Sequence, residues 1–229
     1  MIEALLFDLD GTLAQSDPIH FRAHKAALAE HGVQIDEEFY LRNISGLTNK
    51  ALTDRLLPQL DQVARDGYSA RKETLFREQA AKFLEPVPGA YRILDWAKAN
   101  KLRVALVTSA PSANLRLMID ALGLAAAFDT IVLAEDLPRG KPDPLPYRTA
   151  MANLNVEPKA CIAFEDSLSG VKSASGSGAL TIGLATGSPG STLIEAGASI
   201  AVVDFEQPAL WEKLTLLLQS EKTVIKSST

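Results

Sequence analysis

Six short runs rich in Leu, Val, Ile and Ala constrain this chain most: LLFD from Leu5, LRVALVT from Leu102, DTIVLA from Asp129, ACIAFED from Ala160, LTIGLA from Leu180 and SIAVV from Ser199. Each is near-continuously apolar rather than alternating, the pattern of a strand covered on both faces. Helical patterns separate the later ones: Ala90 to Ala99, Asn114 to Leu122 ending at Gly123, Pro144 to Asn153 and Leu168 to Ser175. A final helix, Pro208 to Gln219, carries Leu210, Trp211, Leu214, Leu217 and Leu218 on one stripe. Strands alternating with helices of this length predict an α/β fold, a doubly wound parallel sheet covered on both sides. Such sheets bind ligands at the carboxyl ends of their strands.

The interval between the first two strands is different. Ser16 or Asp17 can cap a helix with Pro18 in its first turn, and Ile19, Ala23, Ala26 and Ala27 keep helical spacing towards Gly32. Helical patterns continue over Glu37 to Arg42, Leu47 to Leu57 and Ala70 to Leu84, until Pro86, Pro88 and Gly89 break them. The expected organisation is a core of residues 1–14 and 87–229 with a small all-helical domain, 15–86, inserted in it. Ser220 to Thr229 is polar and is expected to fray.

A net charge of −5 opposes a phosphate-backbone binder, so nucleic acid is not an expected partner. No apolar run approaches the ~20 residues of a membrane helix, and the N-terminus lacks a signal-like pattern, so the expected location is the cytoplasm. The single Cys161 lies in an apolar run and reads as a small core residue. His24 and His31 read as surface residues, and a monomer is expected.

The strand ends carry the chemistry. Asp8 and Asp10, two apart, can address one ligand if the strand geometry persists, and Gly11 then permits a turn. Two such acids suit a nucleophile beside a proton donor, or a hard cation; a lone pair of this kind can also simply solvate a turn. Thr108 and Ser109 end the second strand, as anion-binding groups or as a helix cap. Lys141 lies in the Pro-rich RGKPDPLPY loop, where a solvated surface charge is the plain alternative. Glu165 and Asp166 follow the fourth run directly and could equally cap the next helix. The conjunction at successive strand ends points to phosphoryl transfer: a carboxylate nucleophile, a cation and Lys to neutralise charge, hydroxyl and amide donors for phosphate oxygens, and a second acid for the leaving group.

DLDGT, the strand-ending Thr, GKPxP and EDSxxG, in this order, resemble the four motifs of the haloacid dehalogenase superfamily, over nearly the whole chain. The resemblance implies a Rossmann-like core and a helical cap over 15–86 acting as a substrate lid. It implies that Asp8 forms an aspartyl-phosphate, that Asp10 acts as general acid then base, that Thr108 and the Ser109 amide bind the phosphoryl group, and that Lys141 orients Asp8. Mg2+ would be held by Asp8, the Asp10 carbonyl and Asp166, with Glu165 in support. Asp10 argues against the dehalogenating branch, which lacks it.

HFRAHKAALAEHG resembles the beta-phosphoglucomutase-like branch, whose matching His, here His20, couples closure to acid-base chemistry; an ordinary surface His is the alternative. GLTNKALTDRLL from Gly46 resembles its specificity segment, and Lys72 matches its cap Lys. Asn49, with Lys50 beside it, stands where the mutases carry an Arg for a distal phosphate, which weakens the case for a bisphosphate; Lys50 and Lys72 could also be solvated. The expected function is a Mg2+-dependent phosphatase of a small phosphorylated metabolite, a sugar phosphate in the first instance. A beta-phosphoglucomutase-type phosphomutase is the alternative, and a non-enzymatic phosphometabolite-binding module a third reading that Asp10 and Lys141 oppose.

Overall fold

The computed structural model describes residues 1–226, and all six apolar runs form one parallel sheet. Its strands are β1 (Ala4–Phe7), β2 (Arg103–Thr108), β3 (Thr130–Leu133), β4 (Cys161–Glu165), β5 (Leu180–Leu184) and β6 (Ile200–Val202). The spatial order is β3-β2-β1-β4-β5-β6. The chain therefore winds from β1 to one edge and from β4 to the other, a doubly wound, Rossmann-like sheet.

Helices α1 (Asp17–Ala29), α2 (Glu37–Asn43), α3 (Asn49–Leu56) and α4 (Gln62–Phe83) follow β1. Then come α5 (Ala90–Ala99), α6 (Ser112–Ala121), α7 (Leu145–Leu154), α8 (Leu168–Gly176), α9 (Gly190–Glu195) and α10 (Pro208–Lys226). Alternate strand residues explain the two-sided burial. Leu5, Phe7, Leu106, Ile162 and Phe164 pack with Ile93 of α5, Met118 of α6 and Leu210 and Leu214 of α10. Ala4, Leu6, Ala105, Val107, Cys161 and Ala163 face the other way, onto Tyr147, Met151 and Leu154 of α7 and Ala174 of α8. Cys161 is thus a core residue, and burial pushes its thiol up to about 12.

Because α5 and α8 cover opposite faces, the chain segments around β1 and β4 separate and leave a crevice at their carboxyl ends. The two strands are in register there, Phe7 opposite Phe164, with the Asp8 N–H donating to Phe164 O at 3.1 Å. Helix α1 packs along α4, and Ala27, Leu28, Ile35, Tyr40, Ile44, Leu52, Leu57 and Tyr68 form a separate small core within α1–α4. Ile19, Ala23, Phe76 and Ala80 join the main core instead, so the base of this helical layer is fused to the sheet domain.

Four expectations change. Helix α4 begins at Gln62 rather than near Ala70: Gly67 reads as a break, yet the Asp61 side chain accepts from the Ala64 N–H and caps a helix that runs through it. Helix α9 was not expected. Helix α10 continues past Gln219 to Lys226, so the frayed tail expected from Ser220 is helical that far; residues 227–229 lie outside the described residues. His24 is not a surface residue but 5% exposed, its Nδ1 2.9 Å from the Tyr68 hydroxyl, because α1 turns it into the α4 interface. Among the described residues no helix is long and apolar enough to cross a membrane.

Candidate active site

The crevice collects the ends of β1, β2 and β4 and the loop after β3. Asp8 follows Phe7 directly and is 7% exposed. Lys141 reaches it from the loop before α7: its Nζ donates to Asp8 Oδ1 at 2.6 Å, to Glu165 Oε1 at 2.5 Å and to Val107 O at 2.9 Å. This is no solvated surface charge, since the Lys141 side chain is 5% exposed. Burial works against its ammonium, but the Asp8 and Glu165 carboxylates outweigh that and hold it charged. Burial, reinforced by Glu165 and Asp10, pushes the Asp8 carboxyl up to about 8 even with Lys141 alongside.

Glu165 is fully buried and fully engaged: Oε1 also accepts from the Tyr147 hydroxyl at 2.7 Å, and Oε2 from Ser167 Oγ at 3.3 Å. Asp166, by contrast, has no hydrogen-bond or ion-pair partner among the described residues, and burial, with Asp8 and Glu165 near it, raises its carboxyl well above the usual range. Neither acid caps α8; that role belongs to Ser167, whose Oγ accepts from the Gly170 N–H at 3.1 Å. Carboxylate oxygens of Asp8, Glu165 and Asp166 all lie within 4.8 Å of one another. Three hard oxygen donors, one of them without an ion-pair partner among the described residues, fit a divalent cation such as Mg2+.

Two glycines make this crowding possible. Gly11 has φ +71° and an added Cβ would lie 2.2 Å from Asp166 Oδ2. Gly170 would place a Cβ 1.9 Å from Glu165 Oε2, so α8 can approach Glu165 only without a side chain. Gly170→Ala is therefore expected to lower the melting temperature by several degrees, roughly the cost of about 1–3 kcal/mol of overpacking in a domain this size, and to reduce activity with it. A thermal melt matching the wild type would contradict this.

Thr108 is fully buried, and its Oγ1 accepts from the Ala110 N–H at 2.9 Å. It does not cap α6, whose N-cap is Pro111. Ser109 beside it is exposed.

Asp10 faces the helical layer. Its Oδ1 lies 3.2 Å from His20 Nε2, and His20 Nδ1 lies 3.1 Å from Lys72 Nζ, the ring stacked on Phe76 at 4.2 Å. An ammonium only donates, so Nδ1 accepts and the proton on Nε2 points at Asp10. Burial alone would raise Asp10, but the hydrogen bond from His20, with Ser16 and the Lys72 charge, holds it below the usual carboxylate range. His20 is thus no ordinary surface histidine, and Lys72 is buried at 4% exposure.

Among the described residues, Asn49 and Lys50 of the helical layer make no hydrogen bond to Asp10 or His20. Asn49 Nδ2 donates to Glu73 Oε1 at 2.9 Å. Gly46 is exposed, in a turn with φ +78°. The Lys50 side chain is 80% exposed and pairs at 2.7 Å with Asp54, one turn along α3, in a surface ion pair.

Sequence reasoning passed over several neighbours. Tyr147, the last residue of RGKPDPLPY, holds Glu165. Thr186 follows β5 and donates from Oγ1 to Gly11 O at 2.6 Å; carrying the strand-end rule one strand further would have found it. An added Cβ on Gly187 would lie 2.9 Å from Asp166 Oδ2 and 3.1 Å from Asp17 Oδ2. Asp17, read only as a helix cap, thus stands near the acid cluster, accepting from the Tyr40 hydroxyl at 3.1 Å.

The family model of haloacid dehalogenase-like hydrolases matches residues 5–184. A phosphorylated carbohydrates phosphatase of Thermotoga maritima is 31% identical over 211 residues, 90% of this chain and 96% of its own length. Validoxylamine A 7'-phosphate phosphatase of Streptomyces hygroscopicus subsp. limoneus is 33% identical over 204 residues, 86% of this chain and 92% of its own. Among solved structures, CbbY from Rhodobacter sphaeroides in complex with xylulose-(1,5)bisphosphate superposes with a TM-score of 0.76 at 29% identity, covering 90% of this chain and 96% of that one.

Proposed function

This chain belongs to the haloacid dehalogenase-like hydrolases, and from that premise we propose that it is a Mg2+-dependent phosphatase hydrolysing a small sugar phosphate through an aspartyl-phosphate on Asp8. The observation that carries the reading is Lys141 bridging buried Asp8 and Glu165 while Asp166 stands beside them without a partner. Two relatives bear phosphatase names, for phosphorylated carbohydrates and for validoxylamine A 7'-phosphate, which supports a sugar phosphate as substrate.

In this reading an Asp8 oxygen attacks phosphorus, the bond to the leaving oxygen breaks, and Asp10 gives that oxygen its proton. Asp10 then takes a proton from water, the water oxygen attacks phosphorus, and the bond to Asp8 breaks to release inorganic phosphate. Thr108, the Ser109 amide and Lys141 hold the phosphoryl oxygens. Asp8, the Asp10 carbonyl and Asp166, with Glu165 in support, would hold Mg2+, which would supply charge neutralisation on those oxygens.

The division into a core, 1–14 and 87–229, and a lid, 15–86, belongs to the same proposal. His20 lies on α1 and Asp10 on the core, so opening the lid separates them and removes the hydrogen bond that helps hold the Asp10 carboxyl below its ordinary value. Closing restores that hydrogen bond and shields the site from bulk solvent, apart from the one water that the second step consumes.

The reading predicts inorganic phosphate release with Mg2+ from one or more of a panel of sugar phosphates, hexitol phosphates, nucleotides and phosphoglycolate, with turnover lost in chelator. A folded protein silent across the panel would overturn it. A mutase must also hold a second phosphate, and the groups at hand oppose that: Asn49 is given to Glu73 and Lys50 to Asp54. Incubation with beta-glucose 1-phosphate and a bisphosphate primer is expected to yield inorganic phosphate rather than glucose 6-phosphate.

A further inference from the structure

Among the described residues, side chains of the helical layer make polar contact with the sheet domain at two places, and α4 joins them. At one, His20 meets Asp10. At the other, α4 packs on α6: Asn114 Nδ2 donates to Glu73 Oε2 at 2.6 Å, and Arg77 Nη1 donates to Asn114 Oδ1 at 3.1 Å. Between them, Lys72 Nζ donates to His20 Nδ1 at 3.1 Å and to Glu73 Oε1 at 3.0 Å. The result is a closed circuit, core to lid to core, from Asp10 through His20, Lys72 and Glu73 to Asn114. Asn114 is 2% exposed and begins six residues after Thr108, in the first turn of α6.

Glu73 is the junction. Its two oxygens accept from Asn49, Lys72 and Asn114, which satisfies a carboxylate that is only 15% exposed. Burial would raise its carboxyl, and the Lys72 charge with these donors outweighs that and keeps it an acceptor. An acceptor-only group surrounded by donors from α3, α4 and α6 is satisfied in one arrangement, with α4 seated on α6. Pulling α4 off α6 leaves the buried Asn114 amide and Glu73 short of partners and removes the brace that fixes Lys72 against His20.

We propose that Glu73 is a positioning residue: by seating α4 on Asn114 it aims Lys72 and His20 at Asp10, so that the proton-transferring carboxylate reaches its paired state only with the lid down. This rests on the phosphatase reading for its catalytic consequence, though not for the latch itself.

A charge swap tests it. Asn114→Asp sets two carboxylates face to face and breaks the latch. Glu73→Gln combined with Asn114→Asp moves the charge onto α6, gives α4 the donor, and keeps an acceptor for Arg77 and for Lys72. Amide hydrogen exchange in α4, measured on the full chain without substrate, is expected to speed up roughly 10- to 100-fold in Asn114→Asp, the loss of a hydrogen bond to a charged group, and to slow again in the double variant. Amides of β1 and β4 report whether the sheet stays folded. Should Asn114→Asp unfold, Asn114→Ala removes the donor without adding charge and carries the same expectation at smaller size. On the sugar phosphate the single change is expected to lower kcat by a similar factor with little change in KM, and the double variant to recover part of it. Losses in exchange and kcat as large in the double variant as in Asn114→Asp, or an α4 unchanged by Asn114→Asp, would overturn the proposal. Wild-type protein without turnover would overturn the phosphatase reading alone, since the exchange measurement stands by itself.

Discussion

Asp8→Asn is expected to abolish phosphate release, by roughly 10⁴-fold or more, while leaving a protein at least as stable as the wild type. Activity is lost because an amide neither attacks phosphorus as a carboxylate does nor accepts the phosphoryl group. Stability moves the other way. Asp8 has its ordinary value of 3.8 in the unfolded chain and about 8 when folded, chiefly through burial, so between those values the folded state binds a proton that the unfolded state has released. Stability from this group is therefore full below about pH 4 and is lost as the pH rises towards 8. An uncharged isostere escapes that loss. In chelator at pH 8 the variant is expected to melt above the wild type, with the difference closing as the pH falls towards 4, and Mg2+ is expected to stabilise the wild type more than the variant. Loss of activity together with a lower melting temperature at pH 8 would mean that Asn simply damages the fold. Retained turnover would remove Asp8 from the mechanism.

What the sequence discloses about this site depends on how far each residue is from its partners along the chain. Asp8 and Asp10 belong to one turn and Glu165 and Asp166 to one strand end, so the rule that parallel sheets gather ligands at carboxyl ends is enough to bring them together. The strands themselves stand out because both faces are buried, and each run stays apolar from end to end. The polar circuit of the lid has no such local mark. Lys72 is 52 residues from His20, and Glu73 is 41 from Asn114, and each alone is an ordinary polar residue on a helix. Composition cannot separate Lys72, buried against His20, from Lys50, paired with Asp54 in solvent; only the packing of α1 against α4 does so. The same packing turns His24 inward. Gly67 misleads for a related reason: a glycine is a fair sign of a helix end, but here the Asp61 cap and the burial of Tyr68 and Lys72 hold α4 together through it. Gly170 is the converse, a residue inside a recognisable motif whose need becomes visible only once Glu165 is seen to occupy the space of its missing side chain.

Lys141→Met should cost both activity and stability, and its pH dependence separates the two. The methionine fills much the same volume, so the change removes a charge and three hydrogen bonds rather than opening a large cavity. It leaves the carboxylates of Asp8 and Glu165, at 9% and 0% side-chain exposure, without the cation between them. Stripping one partner from a buried ionic group costs about 3–5 kcal/mol, which corresponds to a melting temperature lower by roughly 10 °C for a domain of this size. Lys141 is the neighbour that opposes the upward push on Asp8, so its removal raises that carboxyl further and widens the range over which the folded state must hold a proton. The deficit relative to wild type is therefore expected to be largest above about pH 8 and to shrink on acidification, as Asp8 becomes neutral in both proteins. Turnover should fall by roughly 10²- to 10⁴-fold at every pH, since neither a protonated nor an unbridged Asp8 restores the charge that steadies the phosphoryl oxygens. Lys141→Arg keeps the charge but replaces a compact ammonium with a planar fork that does not fit between two carboxylates and the Val107 carbonyl, so it should recover part of the stability and little of the rate. Melts of the three proteins across pH, beside phosphate release, provide the check. A Lys141→Met protein as stable as the wild type at pH 8 would show that Asp8 and Glu165 do not depend on the bridge.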